Sequence, residues 1–557
     1  MATLRVLLYL GLCLALQSCG SDSSPVSYAE FARPVDAQAP THTFNGRLVS
    51  TGSSDVKFRA LVDTLDLVEH PLPGISELPP FDMAFVQDGE RLVPVEAGPV
   101  ANDHNWWEWV FAPGYVWSES GNSKLSHAAI PFALKETNED CIHNGIMRFA
   151  FKDSGKLSVV HFQIGAQTCR YLQFEMWGVF DAAYVQEEIP ERDAVIAAFR
   201  REHSTRLEAI SIDALAEDYP GADPAAFGPP PGITVGADTL FGYIIDGKHY
   251  QGSCETPNGD YPFCDEMALP SYSTAKSLVG GLAMMRAEFL QPGVATSSIA
   301  DYVPECDDSW RDVTIEHALD MTTGHYDSPE IMADENALTG SPFFLSLTHA
   351  DKVRKACDLY QRQETPGDTW VYQTPNTYLA GVALNRWIKE FADPNADLYR
   401  DLIVEIFWVP LSLGPSIYKT RRTLDETAQP FTGYGLTYYR NDVAKIAQFF
   451  GPDDGRIDGE DVFDRDRFDA IKGRRPDDMG LVADNETMRY NNGFRIRDVS
   501  AELGCDDPVW ITNLSGYGGI NIILMPNDSA FYRFGDDGVH RYMDAVIESH
   551  RIRPMCQ

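Results

Sequence analysis

The first third of the chain alternates apolar and polar residues over short stretches. Residues 157–164 show the pattern most clearly, and Gly and Asn residues separate one stretch from the next. A period of two residues is typical of strands with one buried face. We therefore expect a β-rich accessory domain over residues 26–188.

A helical pattern and then a break follow this domain. Residues 190–215 place apolar side chains at helical spacing, and residues 227–232 contain three consecutive Pro residues flanked by Gly. A triple Pro continues neither a helix nor an interior strand. We therefore predict a helical, Pro- and Gly-rich linker over residues 189–232.

The remaining residues, 233–557, mix strand and helix patterns. Residues 239–245 and 248–250 flank an Asp246-Gly247 turn, which predicts a hairpin. Further elements are expected at residues 278–290 (helix), 520–525 (strand), 530–534 (strand) and 540–550 (helix). Strands at both ends with helices between them predict an α/β domain whose sheet is closed by both termini.

Composition and charge exclude some classes of protein and of partner. Of the 557 residues, 44% are hydrophobic and 11% are aromatic, which is enough to bury cores and to exclude global disorder. Lys plus Arg number 45 and Asp plus Glu 82, for a net charge of −37. Because so acidic a chain repels phosphate backbones, we expect no nucleic-acid partner.

Six aromatic residues cluster in the accessory domain. On an exposed face they would form a stacking platform for a polymer, whereas facing inward they would fill a sandwich core and its edge. We favour the core. The cluster consists of Trp106, Trp107, Trp109, Phe111, Tyr115 and Trp117.

The N-terminus has the layout of an export signal. One Arg precedes an apolar run, residues 6–16, which is shorter than the ~20 residues needed to cross a bilayer. The run leads to Cys19 in a segment that resembles a bacterial lipobox, whose Cys is lipidated. We expect a signal peptide over residues 1–18, a lipid-anchored tether over residues 19–25, and a location at the bacterial cell envelope, in the periplasm or at the outer membrane surface. An ordinary secretory signal, which would give a secreted protein, is the alternative.

Cysteine usage is consistent with export. Eight Cys residues follow the signal segment, and an even number in an exported chain indicates disulfides. No C-x-x-C occurs, which disfavours zinc ribbons and thioredoxin-like redox sites. Pairing of sequence neighbours predicts Cys141–Cys169, Cys254–Cys264, Cys306–Cys357 and Cys505–Cys556.

Ser273 and Lys276 form the most informative pair in the chain. They are three residues apart at the start of an apolar helix, so they share a face of its first turn. Burial and the positive end of a helix both disfavour an ammonium group, and a neutral Lys276 can then accept the proton of Ser273. The Ser273 backbone N–H, at the helix N-terminus, is a candidate oxyanion donor.

The segment around this pair resembles the first motif of the serine β-lactamase, penicillin-binding protein and related esterase superfamily. Four further segments are similar to the same family in order: residues 295–305, 313–324, 365–381 and 433–449. For example, residues 365–381 read TPGDTWVYQTPNTYLAG, which is similar to the family's PGxxFxYSNxxYxLLG. The resemblance implies a β-lactamase/transpeptidase-like catalytic domain, an antiparallel sheet flanked by helices plus a helical subdomain, over residues 233–557. Within this superfamily, the segments resemble those of the class C β-lactamase-related, esterase and nylon-oligomer hydrolase branch.

The second motif of the family is altered in this chain. Tyr372 falls on the Tyr of the Tyr-x-Asn motif, and the resemblance implies that its phenolic oxygen shuttles protons beside the Ser–Lys pair. Thr374 replaces the Asn and offers only one hydroxyl. Asn376, two residues further on, is the candidate substitute. The change weakens the case for β-lactam or peptidoglycan substrates.

The third motif is altered as well. The family carries Lys-Thr-Gly here, or His or Trp with glycines in the esterase branches, and we align Tyr517, Gly518 and Gly519 with it. Ile520 N–H would then be the second oxyanion donor. No cation remains at the first position, which favours neutral esters or amides. A plain Gly-rich turn before a strand is the alternative.

We therefore expect an exported serine hydrolase that cleaves a small-molecule carboxylic ester or amide through a Ser273 acyl-enzyme. Lys276 and Tyr372 would act as base and acid, without metal or organic cofactor, and the membrane would be a partner through the lipid anchor. A D-alanyl-D-alanine carboxypeptidase or β-lactamase is the enzymatic alternative. The other alternative is a non-catalytic envelope binding lipoprotein on a hydrolase scaffold. It stays open because an enzyme and such a binding protein would both contain the Ser–Lys pair.

Overall fold

The computed structural model describes residues 24–70, 73–119, 121–336 and 340–556. The predicted signal peptide, Cys19 and most of the tether lie outside these residues. Within the described part of the chain, no helix combines the length and the apolar character that crossing a bilayer requires.

Strands and helices are numbered in chain order. The strands are β1 (Asn45–Ser50), β2 (Lys57–Asp63), β3 (Phe81–Asp88), β4 (Arg91–Pro94), β5 (Pro99–Val100), β6 (Trp107–Phe111), β7 (Gly114–Glu119), β8 (Asn122–Glu136), β9 (Ile142–Phe151), β10 (Val160–Thr168), β11 (Leu172–Phe180), β12 (Ala183–Gln186), β13 (Glu208–Ser211), β14 (Asp238–Ile245), β15 (Lys248–Gln251), β16 (Glu255–Thr256), β17 (Gly259–Asp260), β18 (Leu269–Pro270), β19 (Thr437–Tyr438), β20 (Arg456–Ile457), β21 (Glu460–Asp461), β22 (Leu481–Ala483), β23 (Asn485–Asn491), β24 (Phe494–Asp498), β25 (Trp510–Gly516), β26 (Ile520–Met525) and β27 (Ser529–Gly535). The α-helices are α1 (Arg192–Ser204), α2 (Leu215–Asp218), α3 (Leu282–Leu290), α4 (Ile299–Tyr302), α5 (Ile315–Leu319), α6 (Ala333–Asn336), α7 (Ser341–Phe344), α8 (His349–Asp358), α9 (Thr374–Phe391), α10 (Arg440–Phe450), α11 (Arg465–Ile471), α12 (Ser500–Leu503) and α13 (Met543–Ile552). Two π-helical stretches are Lys276–Gly281 and Leu398–Trp408.

The accessory domain is β-rich, as predicted. β1 to β12 form one antiparallel sheet with the main order β12-β1-β3-β4-β7-β8-β9-β10-β11-β2, to which β6 is added beside β8 and β5 beside β6. Trp107, Trp109, Phe111 and Trp117 are at most 1% exposed. The aromatic cluster therefore fills the domain interior, which confirms the core interpretation.

The linker is divided between the two domains. α1 packs on the accessory sheet, where Ile189 and Ile196 meet Val86 and Val93. The predicted helix ends at Ser204, however, and β13 pairs in parallel with β15 in the second sheet. Tertiary pairing overrides the helical spacing there, because the edge of β15 offers partners to the β13 backbone.

The C-terminal domain contains a nine-stranded sheet in the order β13-β15-β14-β27-β26-β25-β24-β23-β22. The predicted β14–β15 hairpin and the β26–β27 pair are both present. β14 pairs with β27, so strands from the two ends of the domain lie side by side. The expectation that both termini close this sheet is confirmed, and the fold class is mixed α/β.

A central helix runs through the C-terminal domain. It consists of the π-helical stretch Lys276–Gly281 continued by α3, and every residue of the π-helical stretch is buried. One continuous hydrophobic core joins Leu278 and Leu282 of this helix to Trp117 and Ile146 of the accessory sheet. The two domains therefore share a core, and the central helix lies at its middle.

All four predicted disulfides are present. They join Cys141 to Cys169, Cys254 to Cys264, Cys306 to Cys357, and Cys505 to Cys556.

Candidate active site

Ser273 and Lys276 meet at the start of the central helix. Lys276 N donates to Ser273 O at 3.0 Å, which closes a tight turn ahead of the helix. Lys276 Nζ lies 2.9 Å from Ser273 Oγ. The lysine is 1% exposed, whereas the serine is partly exposed at the floor of a cleft. The amine and the hydroxyl are thus in contact, as the spacing predicts, and the amine is shielded from bulk solvent.

Two further oxygen atoms surround the lysine amine. Thr374 Oγ1 lies 2.7 Å from Lys276 Nζ, and Gly433 O lies 3.4 Å from it. Together with Ser273 Oγ they match the three donors of an ammonium group. Thr374 therefore occupies the position beside the lysine that the sequence predicts for the altered second motif.

Tyr372 lies beside the same amine. Lys276 Nζ is 5.0 Å from the centroid of the tyrosine ring, and the tyrosine is 4% exposed. The guanidinium carbon of Arg495 is also 5.0 Å from this centroid, and Arg495 Nε donates to Asp484 Oδ2 at 2.7 Å. The Lys276 amine and the Arg495 guanidinium thus both lie next to the ring of Tyr372.

Asn376 does not line the cleft. Its Nδ2 donates to Gln373 Oε1 at 3.0 Å, and Gln373 Nε2 donates to Asp334 Oδ2 at 2.8 Å. Asp334 also accepts the backbone N–H groups of Asp327 and Ser328. Asn376, the candidate substitute for the motif's Asn, therefore stabilises α6 instead. Its position on the helix turns its amide away from Lys276.

The end of β25 supplies the strand side of the cleft. Ser515, Gly516, Tyr517 and Gly518 line it. A Cβ on Gly516 would lie 2.9 Å from Ser271 O, so only glycine allows this close approach.

Gly519 and Ile520 are not among the residues that line the cleft. Ile520 is fully buried in β26, where it pairs with Gly516. Tyr517 lies closer to the nucleophile segment, since its ring is 5.6 Å from that of Tyr272. In the described residues, Tyr517 N–H and Ser273 N–H donate to none of the backbone acceptors that link turns and loops.

Asp140 of the accessory domain holds the turn before Ser273. Its Oδ2 accepts Tyr272 N–H at 2.6 Å and the Ser271 hydroxyl at 3.0 Å, and its Oδ1 pairs with Lys135. Tyr272 has a φ of +41°, in the left-handed region that non-glycine residues rarely adopt. Sequence analysis missed Asp140 because it is distant in the chain; the only local signal was a Lys and an Asp at the end of a strand.

Glu335 is a second residue that the sequence did not indicate. Its Oε2 accepts Thr374 N–H at 2.7 Å, and its Oε1 accepts the Thr374 hydroxyl. It lies in α6 and lines the cleft. The Thr374 hydroxyl thus connects Glu335 to Lys276.

The Ser–Lys pair opens onto a cleft of about 1070 Å³ that residues of both domains line. Several apolar side chains at this cleft are exposed to solvent. They are Leu65 at 58%, Ile331 at 58%, Leu345 at 68% and Leu347 at 48%.

The accessory wall also carries ionisable groups. Burial raises the pKa of Glu136 to about 7, and burial raises the pKa of Glu139 well above its ordinary range. Tyr171 Oη donates to Glu136. Arg170 is exposed at this wall, with its guanidinium carbon 5.9 Å from the Tyr517 ring centroid.

Two groups of residues in the described chain have the spacing of metal ligands. Cys141, His143 and Cys169 form one group, and the other consists of Cys505, His550 and Cys556. In each group the two cysteines are joined in a disulfide, so no thiolate is available there.

No protein-family model and no curated protein matches the chain. Among solved structures it is similar to EstCE1, a hydrolase with promiscuous acyltransferase activity, with 14% identity, coverage of 64% of this chain and 100% of that chain, and a TM-score of 0.42. A penicillin-binding protein homologue from Caulobacter crescentus is 14% identical over 64% of this chain and 97% of that chain, with a TM-score of 0.39. A family VIII carboxylesterase is 16% identical over 64% and 97%, with a TM-score of 0.38.

Proposed function

We propose that the protein is a serine hydrolase that cleaves a carboxylic ester or amide through an acyl-enzyme on Ser273. One observation carries the proposal: a buried Lys276 amine lies 2.9 Å from the Ser273 hydroxyl at the floor of an open cleft. A serine hydroxyl is a weak nucleophile until a neighbouring base accepts its proton. Lys276 is placed to be that base.

The first half of the reaction forms the acyl-enzyme. Ser273 Oγ attacks the substrate carbonyl carbon while its proton moves to Lys276 Nζ. The tetrahedral intermediate then collapses, and the leaving group takes a proton from Tyr372. Lys276, whose amine lies 5.0 Å from the centroid of the Tyr372 ring, then returns a proton to Tyr372.

The second half repeats these steps with water. Tyr372 takes a proton from a water molecule as it passes its own phenolic proton to Lys276, and the resulting hydroxide attacks the acyl carbon. Ser273 regains its proton from the Lys276 and Tyr372 pair. No group beyond these side chains and water is needed to balance the protons.

The developing oxyanion requires two N–H donors. Ser273 N–H is the first, as expected from its place ahead of the central helix. We assign the second to Tyr517 N–H in place of Ile520 N–H, because Tyr517 lines the cleft beside Tyr272 and Ile520 is buried in the sheet.

The cleft favours a neutral, largely apolar substrate. Exposed Leu and Ile side chains from both domains lie on it, and water is displaced from them when an apolar group binds. Arg495 is paired with Asp484 and is not free to hold a substrate anion. Esters and amides without a carboxylate therefore fit best.

A second candidate reaction has one observation in its favour. Arg170 is an exposed cation on the cleft, near the ring of Tyr517. A guanidinium binds a carboxylate with two parallel hydrogen bonds. A D-alanyl-D-alanine carboxypeptidase or β-lactamase activity would use Arg170 in this way.

We further propose that the enzyme acts outside the cytoplasm, anchored by a lipid on Cys19. The four disulfides suit an oxidising compartment. Metabolic labelling with a palmitate analogue tests the anchor, since Cys19→Ala is expected to abolish incorporation. Incorporation that persists in Cys19→Ala contradicts it.

The hydrolase assignment is tested with a fluorophosphonate probe and a substrate screen. The probe is expected to label the wild type and not Ser273→Ala, while Ser515→Ala, a serine of the same cleft, keeps the label. p-Nitrophenyl esters are expected to be cleaved faster than D-amino-acid amides or nitrocefin. Nitrocefin turnover that is lost in Arg170→Ala favours the second candidate, and a folded wild type that no probe labels favours a non-catalytic binding protein.

A further inference from the structure

The hydrogen bond between Ser273 and Lys276 lies beside a second one, which joins the Thr374 hydroxyl to Glu335, and Thr374 also contacts the lysine amine. The effect of this arrangement on catalysis rests on the proposed function. It concerns which atom carries which proton when Lys276 is neutral, because only a neutral amine acts as a base. A neutral amine has two N–H donors and one lone pair, and it has three oxygen neighbours here.

Two of the three neighbours accept hydrogen bonds from the amine and do not donate to it. The Gly433 oxygen is a carbonyl and accepts only. Thr374 has one hydroxyl proton, and that proton is directed to Glu335 Oε1. Its oxygen is therefore left to accept from Lys276 at 2.7 Å.

The two N–H groups of the neutral amine are thus directed at Thr374 and Gly433. The lone pair faces the remaining neighbour, Ser273 Oγ at 2.9 Å. Ser273 must then donate its proton to Lys276, which is the direction that catalysis requires. The proton that Lys276 gains is consequently the one that comes from Ser273.

Glu335 is held firmly enough to impose this arrangement. Its second oxygen accepts Thr374 N–H at 2.7 Å, so one carboxylate accepts hydrogen bonds from both the backbone and the hydroxyl of the same residue. The neighbouring Asp334 is tied to Gln373, and Gln373 is tied to Asn376. This chain of hydrogen bonds fixes α6 against the start of α9.

We propose that Glu335 is a positioning residue that orients the Thr374 hydroxyl, and thereby keeps the lone pair of Lys276 directed at Ser273. Without Glu335 the Thr374 hydroxyl is free to turn and donate to the amine, and it then competes with Ser273 for the lone pair. Among the described residues, Tyr372 also lies beside the amine, and Arg495 with Asp484 lies next to the ring of Tyr372.

The test measures the rate of fluorophosphonate labelling of Ser273 as a function of pH. Glu335→Ala is expected to slow labelling about tenfold to a hundredfold, less than the roughly 10²- to 10⁴-fold contribution of a general base, because Lys276 itself is retained. Glu335→Gln is expected to lose less, because its amide oxygen still accepts the Thr374 hydroxyl. Glu330→Ala, an exposed acid on the preceding turn, is the matched control and is expected to label like the wild type.

A double-mutant cycle separates positioning from general structural damage. In Thr374→Val there is no hydroxyl to orient, so adding Glu335→Ala is expected to slow labelling no further. Losses that multiply in the double variant overturn the proposal, as does a Glu335→Ala variant that labels at the wild-type rate with an unchanged pH profile. If Glu335→Ala does not fold, the same cycle is run with Glu335→Gln. A folded wild type that is not labelled overturns the proposed function as well, whereas the other outcomes concern Glu335 alone.

Discussion

Asp140 Oδ2 accepts the backbone N–H of Tyr272 at 2.6 Å, so a carboxylate of the accessory domain holds the residue just before the nucleophile. The same oxygen accepts the Ser271 hydroxyl, and Lys135 neutralises the other carboxylate oxygen. Tyr272 adopts a left-handed backbone conformation that costs free energy unless its surroundings impose it. The accessory domain is therefore part of the machinery that positions Ser273.

Removing one partner of this buried ion pair is expected to be costly. Asp140→Asn leaves the Lys135 charge unpaired, so we expect the free energy of unfolding to fall by about 3–5 kcal/mol. Replacing both partners, as Lys135→Met with Asp140→Leu, is expected to recover most of the stability but not the labelling rate of Ser273, because Tyr272 N–H still lacks its acceptor. Urea unfolding and fluorophosphonate labelling measure the two quantities. Recovery of both in the double variant would show that Asp140 acts on stability alone.

Loss of the Tyr372 hydroxyl is expected to slow both halves of the reaction. Tyr372→Phe removes the proton donor for the leaving group and the acceptor for water, so kcat for a p-nitrophenyl ester is expected to fall about 10²- to 10⁴-fold. Mass spectrometry of the quenched reaction is expected to show accumulated acyl-enzyme if the second half is slowed more. Tyr490→Phe, whose ring lies 6.2 Å from that of Tyr372, is the control for packing. An equal loss in both variants would assign the effect to packing.

The backbone of Tyr517, rather than its side chain, is expected to matter for the oxyanion. Tyr517→Pro removes the N–H, and kcat is expected to fall about 10²- to 10³-fold, as for other oxyanion donors. Tyr517→Phe keeps the N–H and is expected to retain most of the activity. Steady-state kinetics on one ester distinguishes the two. Full activity in a folded Tyr517→Pro variant would show that another N–H group is the second oxyanion donor.

The buried acid Glu136 is expected to make the protein less stable as pH rises. Burial raises its pKa from an ordinary value of 4.5 to about 7, so between these values the folded chain holds a proton that the unfolded chain has released. The unfolding free energy therefore decreases as pH increases through this window, by about 3 kcal/mol for this group.

Glu136→Gln is expected to flatten this pH dependence. The amide does not ionise, so the decrease between pH 4.5 and about 7 is expected to be smaller than in the wild type by the contribution of Glu136. Urea unfolding at a series of pH values measures it. Asp82→Asn, on the same sheet but away from the cleft, serves as the control. Parallel pH profiles for wild type and Glu136→Gln would contradict the assignment.

Local signals in the sequence were sufficient for the elements that depend on neighbouring residues. The hairpin at Asp246-Gly247 and the Ser273–Lys276 pair each rest on contacts within a few residues, and both are present. The four disulfides join cysteines that are neighbours in the cysteine order. Apolar residues on every side of the central helix predict that it is buried, and the structure shows it buried.

The features that the sequence did not specify depend on where distant segments meet. β13 became a strand because β15 was available as a partner, against a helical spacing. The register of β25 with β26 places Ile520 inside the sheet. Tyr517, three residues earlier in the chain, lies at the cleft instead. Asp140 and Glu335 reach the site from other parts of the chain.

The sequence alone determined that a hydroxyl and an amine lie one helical turn apart, because the geometry of the backbone imposes that distance. The tertiary structure decided which groups surround them, which N–H faces the cleft and in which direction the Thr374 hydroxyl points. The physical reason is that hydrogen bonds and ion pairs act over a few ångströms in space, whatever the separation of their partners along the chain.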